Sequence, residues 1–263
     1  MNSLGFNKSE KDTKVVIAMS GGVDSSVAAV MLKKQGYDVT GITLRLYNNS
    51  NVSSSKSCCA GIDIEDAKNV ALNNDFKHIV LDYQDKFFNG VINNFVDSYA
   101  NGETPLPCVK CNETVKFSDL LNEAKKIGAD ALATGHYAIR KGSSNNASLH
   151  KAKDFSKDQS FFLFATQQEQ LNYLRFPLGD YKKKEIRQLA EKYKLSVSDK
   201  PDSQDICFVT SDSYRDLVKN LNPNVNKKGV IYDLDNNILG THDGISNYTI
   251  GQRKGIGISG SKN

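Results

Sequence analysis

The sequence predicts an α/β chain with its strands in one parallel sheet and a smaller, β-containing unit after it. Three observations predict this. Short apolar runs (Val15–Ile17, Val39–Leu44, His78–Leu81, Ala131–Thr134) alternate with stretches of helical spacing, the pattern of right-handed βαβ units. The first run passes through a turn of small residues straight into the helical pattern Val27–Leu32. Beyond Pro201 the alternation stops, and Val230–Tyr232 with Ile238–Leu239 around Asp233–Asn237 reads as a hairpin.

The turn is Ala18-Met19-Ser20-Gly21-Gly22-Val23-Asp24-Ser25-Ser26. Such a turn presents successive backbone N–H groups, and the helix after it adds its positive dipole end. Ser20, Ser25 and Ser26 add hydroxyl donors, and Gly21 and Gly22 let a ligand approach the main chain. The guest these features suit is a phosphate or pyrophosphate. A Walker A loop would carry a Lys before its last Ser or Thr, and none stands here. The spaced glycines of the dinucleotide fingerprint are also missing. Ser-Gly-Gly-Val-Asp-Ser-Ser resembles the pyrophosphate loop (PP-loop) of ATP pyrophosphatases, which adenylate a substrate oxygen. The fold this implies is Rossmann-like, of the adenine nucleotide alpha hydrolase-like kind, with a small mixed or β second domain. A Gly-Gly turn with Asp24 or Ser25 as helix N-cap is the plain structural alternative.

The remaining elements follow in order. Met1 to Lys14 is polar, with residues 1–13 expected as a loose tail. Gly36 suits the left-handed residue that closes the first helix. Tyr47 to Ser57 is Asn/Ser-rich and is expected as a mobile loop. Ile64–Leu72 has helical spacing, and Phe87, Phe88, Val91, Ile92, Phe95 and Val96 mark an amphipathic helix. Pro105 and Pro107 predict a rigid, non-helical stretch from Asn101 to Asn112, with a helix from Glu113 to Lys126. The strand Ala131–Thr134 ends in Gly135-His136-Tyr137, and ligands bind beyond the carboxyl ends of parallel strands. Gly135 and His136 are therefore expected at the same edge as the Ser20 turn. Lys141–Ala147 reads as a polar loop, and Asp180 is expected to cap a helix through Tyr193. Lys200-Pro201-Asp202 breaks the pattern and divides the chain into 1–200 and 201–263; Tyr214–Leu221 is helical in the second part.

Composition sets the frame. The 263 residues are 39% hydrophobic and 24% charged, enough for a proper core. A formal charge of +4 suits nucleic acid but is common in ordinary enzymes. No run approaches membrane-spanning length, so no membrane partner is expected, and no secretory h-region precedes Lys14. Five cysteines are an odd count; without an export signal they suggest a reducing cytoplasm and reactive or metal-binding thiols.

Cys108 and Cys111 form a C-x-x-C pair with three readings. Four-ligand zinc wants a second such pair, and Cys58 and Cys59 are adjacent, so no metal site is assigned. A thioredoxin-type dithiol would open a helix, where the prolines suggest a loop. The third reading is a nucleophile at Cys111, its thiolate favoured by the start of the Glu113 helix. Cys58 and Cys59 read as inert.

Taken together, Thr104–Asn112, Ala133–Tyr137, Lys157–Phe161, Asp202–Phe208 and Tyr248–Gly257 resemble, in order and spacing, the tRNA-specific 2-thiouridylase family. The resemblance implies a catalytic ATP-binding domain over 1–200. It implies that ATP and Mg²⁺ adenylate the C2 oxygen of the wobble uridine, and that a persulfide then delivers sulfur. It assigns Cys111 as nucleophile and Cys207 as persulfide carrier, the two passing through a disulfide that is later reduced. It implies ATP contacts at Ala18, Met19, Ser20, Gly21, Gly22, Val23, Asp24, Ser25, Leu44 and Gly135. It implies tRNA contacts at Leu106, Pro107, Cys108, Lys157, Asp158 and Gln159, whose last three would otherwise read as a solvated charged turn. The partners implied are tRNA and a persulfide donor, either a cysteine desulfurase or a relay protein.

The sequence departs from the family in two places. Where some members carry Asn-Pro-Asp, with the Asp as an acid–base group, Leu106-Pro107-Cys108 stands. Members also continue into a tRNA-gripping C-terminal β-barrel, so the resemblance reads residues 201–263 as a central domain cut short before it. Three rivals remain open. Cys108, Cys111 and Cys207 could hold an iron–sulfur cluster with one open iron, as in the 2-thiocytidine enzymes. An amide-forming ATP pyrophosphatase would need neither thiol. A tRNA- or ATP-binding remnant would bind without catalysis.

Overall fold

Strand β1 (Lys14–Ala18) lies at the centre of a five-stranded parallel sheet. The computed structural model describes residues 1–47, 61–143, 145–202, 206–209 and 213–258. Around β1 the order is β3 (Lys77–Asp82), β2 (Asp38–Arg45), β1, β4 (Ala131–Thr134) and the two-residue β7 (Leu174–Arg175). Each pairing is parallel, with Val15 opposite Val39 on one side and Ala131 on the other. The chain thus reverses its winding between β1 and β4, and the carboxyl ends of these two strands frame a crevice.

Both faces are covered, which is why the strands read as continuous apolar runs. Val15 and Ile17 face a core built from α1 (Val23–Lys34), α2 (Gly61–Asn73) and α8 (Lys183–Lys192). Val16, Ile42 and Leu44 face the other core, with Phe87, Phe95, Phe117 and Leu120. That second layer comes from two long helical stretches. One runs from α3 (Gln84–Phe87) through π-type turns at Phe88–Ile92 into α4 (Asn93–Ala100). The other runs from α5 (Pro107–Cys111) through π-type turns at Asn112–Leu120 into α6 (Leu121–Lys126).

Smaller pieces complete the chain. Strands β5 (Ala138–Gly142) and β6 (Ala147–Lys151) form an antiparallel hairpin across the stretch expected as loop. After α7 (Gln168–Tyr173) and α8 come α9 (Tyr214–Leu221) and the expected hairpin, β8 (Gly229–Tyr232) with β9 (Ile238–His242). The expected mobile loop from 48 onward, with Cys58 and Cys59, lies outside the described residues, as does Ser144.

Three expectations are corrected. Residues 1–13 are docked rather than loose: Leu4 is buried, Arg175 Nε donates to its carbonyl at 2.7 Å, and the Arg175 guanidinium lies 4.6 Å from the Phe6 ring centroid. The helix ending at Lys192 starts at Lys183, not Asp180; Glu185 accepts from the Lys182 N–H at 2.6 Å and closes its start. The cysteine helix begins at Pro107, because a proline at the first helical position loses no bond.

Candidate active site

The Ser20 turn sits at the carboxyl end of β1, as the sequence predicts. Gly22 is the N-cap of α1 and offers no side-chain bond, so the N–H groups of the first turn are left for a ligand. This replaces the Asp24 or Ser25 cap. Ser25 Oγ instead accepts from the Ser20 N–H at 3.1 Å and lies 3.2 Å from Ser20 Oγ, bracing the turn. Ser26 Oγ is buried without a hydrogen-bond partner.

Two glycines are demanded by the geometry. Gly21 has φ +74°, and a Cβ there would stand 2.1 Å from the Asp63 carbonyl oxygen. A Cβ on Gly135, just past β4, would stand 2.8 Å from the Ser25 nitrogen. The end of β4 therefore lies against the first turn of α1. Ala18 and Leu44 end or nearly end β1 and β2, so the expected nucleotide residues share one edge.

Two charged networks hold this edge. Lys200 Nζ donates to the Gly21 carbonyl at 3.1 Å, to Asp66 at 2.7 Å and to Asp63. Burial alone would lower the Lys200 pKa, but its bonds to the two carboxylates hold it above the ordinary lysine value. In the second network Asp24 accepts from Tyr137 Oη at 2.9 Å and from Lys183 Nζ at 2.7 and 2.8 Å. Lys183 also meets Asp202 at 2.8 Å, and Asp202 meets Arg187 at 2.7 Å and Lys157 at 3.0 Å. Burial opposes ionisation of Asp202, yet Lys183 and Lys157 hold its carboxyl far below the ordinary range. Burial first, and then the charge of Asp24, push the Tyr137 phenol far up, so it remains a donor.

The segment expected to touch tRNA is structural as well as exposed. Asp158 accepts from the Ala152 N–H at 2.8 Å and from Ser160 Oγ at 2.7 Å. Gln159 Oε1 accepts from the Tyr137 N–H at 2.9 Å, and its own N–H donates to the Tyr137 carbonyl at 2.8 Å. Neighbouring His136 shares a 2.9 Å hydrogen bond with Thr134 and meets the rings of Phe117 and Phe176 edge-on. Burial, then Lys116, lowers its pKa to about 3, so it is neutral at neutral pH.

The cysteines belong to the other core. Cys111 is the last residue of α5 and is buried, while Cys108 is exposed one turn earlier. The thiolate-favouring position expected for Cys111 is thus not there, since the helix starts at Pro107. Burial pushes its thiol up, against the weaker pull of Lys116. Asn112 Nδ2 donates to the Phe162 carbonyl at 3.0 Å, tying this helix to the Gln159 segment. Cys207 packs on the cluster that contains Cys111, and Tyr47 Oη donates to its carbonyl at 3.1 Å. Phe208 fixes it from behind, with ring centroids 5.7 Å from Phe87 and 5.3 Å from Phe95. Residues 203–205 of the Asp202–Phe208 motif lie outside the described residues. Cys108 and Cys111 are free thiols. Among the described residues, no three His, Cys, Asp or Glu side chains are grouped as metal ligands, which includes these thiols.

A family model described as tRNA methyl transferase HUP domain matches residues 13–211, and a tRNA methyl transferase PRC-barrel domain matches 216–263. The tRNA-specific 2-thiouridylase MnmA of Rhodospirillum centenum is 56% identical over 263 residues, covering 100% of this chain and 67% of that protein. The chain belongs to the tRNA-specific 2-thiouridylase family. Other 2-thiouridylases include that of Bradyrhizobium sp. strain ORS 278, 56% identical over 98% of this chain and 66% of its own length. That of Roseobacter denitrificans is 54% identical over 99% and 69%. The chain thus spans about two thirds of the length of these 2-thiouridylases. A solved 4-thiouridine synthetase–RNA complex with bound ATP gives a TM-score of 0.49 at 16% identity, covering 81% of this chain and 51% of that one, too distant a likeness to bear on chemistry.

Sequence reasoning missed Lys183, Lys200, Asp63 and Asp66, and used Tyr137 only as part of a motif. The i, i+3 spacing of Asp63 and Asp66 on α2 was a faint signal; nothing local marks either lysine. A cavity of about 370 Å³ opens at the amino ends of the strands among Lys14, Asp38, Thr40 and Lys77, away from the motif residues.

Proposed function

We propose that this chain carries out the ATP-dependent 2-thiolation of a wobble uridine in tRNA. The observation that carries the reading is one line of contacts from phosphate loop to thiol. Asp24 binds Tyr137, Tyr137 is clamped by Gln159, and the Gln159 turn is held through Phe162 to Asn112, next to Cys111. A carbonyl-activating loop and a sulfur chemistry site built as one unit suit a reaction in which both act on the same atom.

The donor set fits the triphosphate of ATP: uncapped N–H groups, two serine hydroxyls and a glycine wall. Asp24 is the carboxylate at hand for Mg²⁺ on those phosphates. Uridine O2 attacks the α-phosphorus and pyrophosphate leaves, which turns a poor leaving group into AMP. Cys207 carries a persulfide received from an external donor. The Cys111 thiolate attacks its inner sulfur, forming the Cys111–Cys207 disulfide and expelling hydrosulfide. Hydrosulfide adds at C2, AMP departs with the former O2, and a dithiol reductant restores both cysteines. Leu106, Pro107, Cys108, Lys157, Asp158 and Gln159 are proposed to meet the tRNA, in a cytoplasmic setting.

The test uses the purified chain with ATP, Mg²⁺, a persulfide donor and unmodified tRNA, followed by mass analysis of the nucleosides. We expect 2-thiouridine from the unaltered chain and none from Cys111→Ala or Cys207→Ala, with ATP binding retained in both. Normal thiolation by either variant overturns the assignment.

A further inference from the structure

The phosphate loop carries hydroxyls and N–H groups but no cation of its own. A triphosphate brings several negative charges, and the departing pyrophosphate concentrates them further, so a fixed positive group is worth most there. The fold brings two lysines to the loop from far along the chain. They differ in how they are used.

Lys200 is committed to the loop's own framework. Its three partners are the Gly21 carbonyl, Asp63 and Asp66, all on the protein. Lys157 and Arg187 point at Asp202. Lys183 alone among these four cations binds Asp24, the carboxylate in the first turn of α1. Its side chain is 14% exposed, stretched between Asp24 and Asp202. Asp202 has two further cations, so it can keep Lys183 in place while Asp24 turns to another partner.

We propose that Lys183 supplies the loop's missing cation: its ammonium group binds the β- and γ-phosphates of ATP and bears their charge as pyrophosphate leaves. Lys183 transfers no proton in this step. The bond broken is between the α-phosphorus and its bridging oxygen, whose electrons stay on pyrophosphate. Asp202 is then a positioning residue, holding the lysine over the loop through Nζ. The inference rests on the proposed ATP site and adds to it a catalytic residue that no loop motif contains.

The obvious alternative is an internal ion pair that merely stabilises the fold. Nucleotide selectivity separates the two, because AMP lacks the phosphates that Lys183 would meet. Binding of ATP and AMP to the full chain is measured by calorimetry for the unaltered protein, Lys183→Met and Lys183→Arg. We expect Lys183→Met to weaken ATP roughly tenfold to a hundredfold, the size of one charged hydrogen bond, and to leave AMP within about twofold. Lys183→Arg keeps the charge and should recover most of the ATP affinity. Lys183→Gln, which can still donate to Asp24, makes the same comparison should the Met variant fail to fold.

Equal weakening of ATP and AMP, or of neither, overturns the proposal. So does a chain that binds no adenine nucleotide at all, which also removes the ATP site. A chain that shows the ATP-over-AMP effect yet makes no 2-thiouridine supports Lys183 and overturns the proposed function instead.

Discussion

The two ends of the site are built on opposite principles. The phosphate end is latched by charge: Lys200 on Asp63 and Asp66, Lys183 between Asp24 and Asp202, with Lys157 and Arg187 behind. The thiol end is latched by rings. Phe208 sits edge-on between Phe87 and Phe95, and Tyr214 stacks on Tyr99 at 4.4 Å. The difference suits the role proposed for each end. Phosphate arrives as charge and needs donors already in position, since reorganising dipoles during reaction is costly. A thiol that forms and breaks bonds to sulfur needs shelter from solvent and room to shift. Burial raises the pKa of the Cys111 thiol and so disfavours the thiolate, its reactive form.

The strongest way to break this comparison is one methyl group at the charged end. Gly21→Ala meets both a positive φ and the Asp63 carbonyl. We expect a loss of about 3 kcal/mol or more and of ATP binding, seen as a fall in Tm of roughly 6–12 °C. Cys111→Ala, although buried, should cost only about 1 kcal/mol and leave ATP binding intact. If the two variants melt alike, the phosphate end is not the rigid partner.

A smaller effect is expected from Lys200→Met, which leaves the Gly21 carbonyl and two carboxylates without their shared cation. Asp63 is buried while Lys200 and Asp66 are partly exposed, so the cost should be about 1–3 kcal/mol, read by denaturant unfolding. At the thiol end the matching measurement is alkylation. Exposed Cys108 should react with iodoacetamide well before Cys111, and the Cys111 rate should climb at pH values above the ordinary thiol range. Equal rates near neutral pH would mean that Cys111 is not sheltered.

The sequence is a good guide to this molecule where the signal is local. The parallel strands, the glycine turn and the carboxyl-edge position of Gly135 all follow from short runs and the rule for parallel sheets. It is a poor guide where partners are distant. Lys183 lies 159 positions from Asp24 and Lys200 lies 179 from Gly21, and no periodicity links them. Two readings failed on chemistry that was in view. Pro107 was taken to exclude helix, although the first helical position tolerates proline. The polar N-terminus hid Leu4 and Phe6, which Arg175 anchors from the far edge of the sheet.

The subtlest test separates the two ends by pH. His136, between the rings of Phe117 and Phe176, has its pKa lowered from 6.5 to about 3, chiefly by burial. The unfolded chain therefore takes up its proton first. The stability this holds is complete above about pH 6.5 and is lost as pH falls from there toward 3. Asp202 is lowered from 3.8 because Lys183 and Lys157 outweigh the burial that opposes its charge. Its contribution is complete above that value and is lost only as pH falls below it. Unfolding curves taken from pH 7 downward should thus weaken in two stages, the His136 stage first and the Asp202 stage second. His136→Gln should flatten the first stage and leave the second, and Asp202→Asn should do the reverse. A single stage, or one that responds to both substitutions, would mean that the two ends unfold as one electrostatic unit.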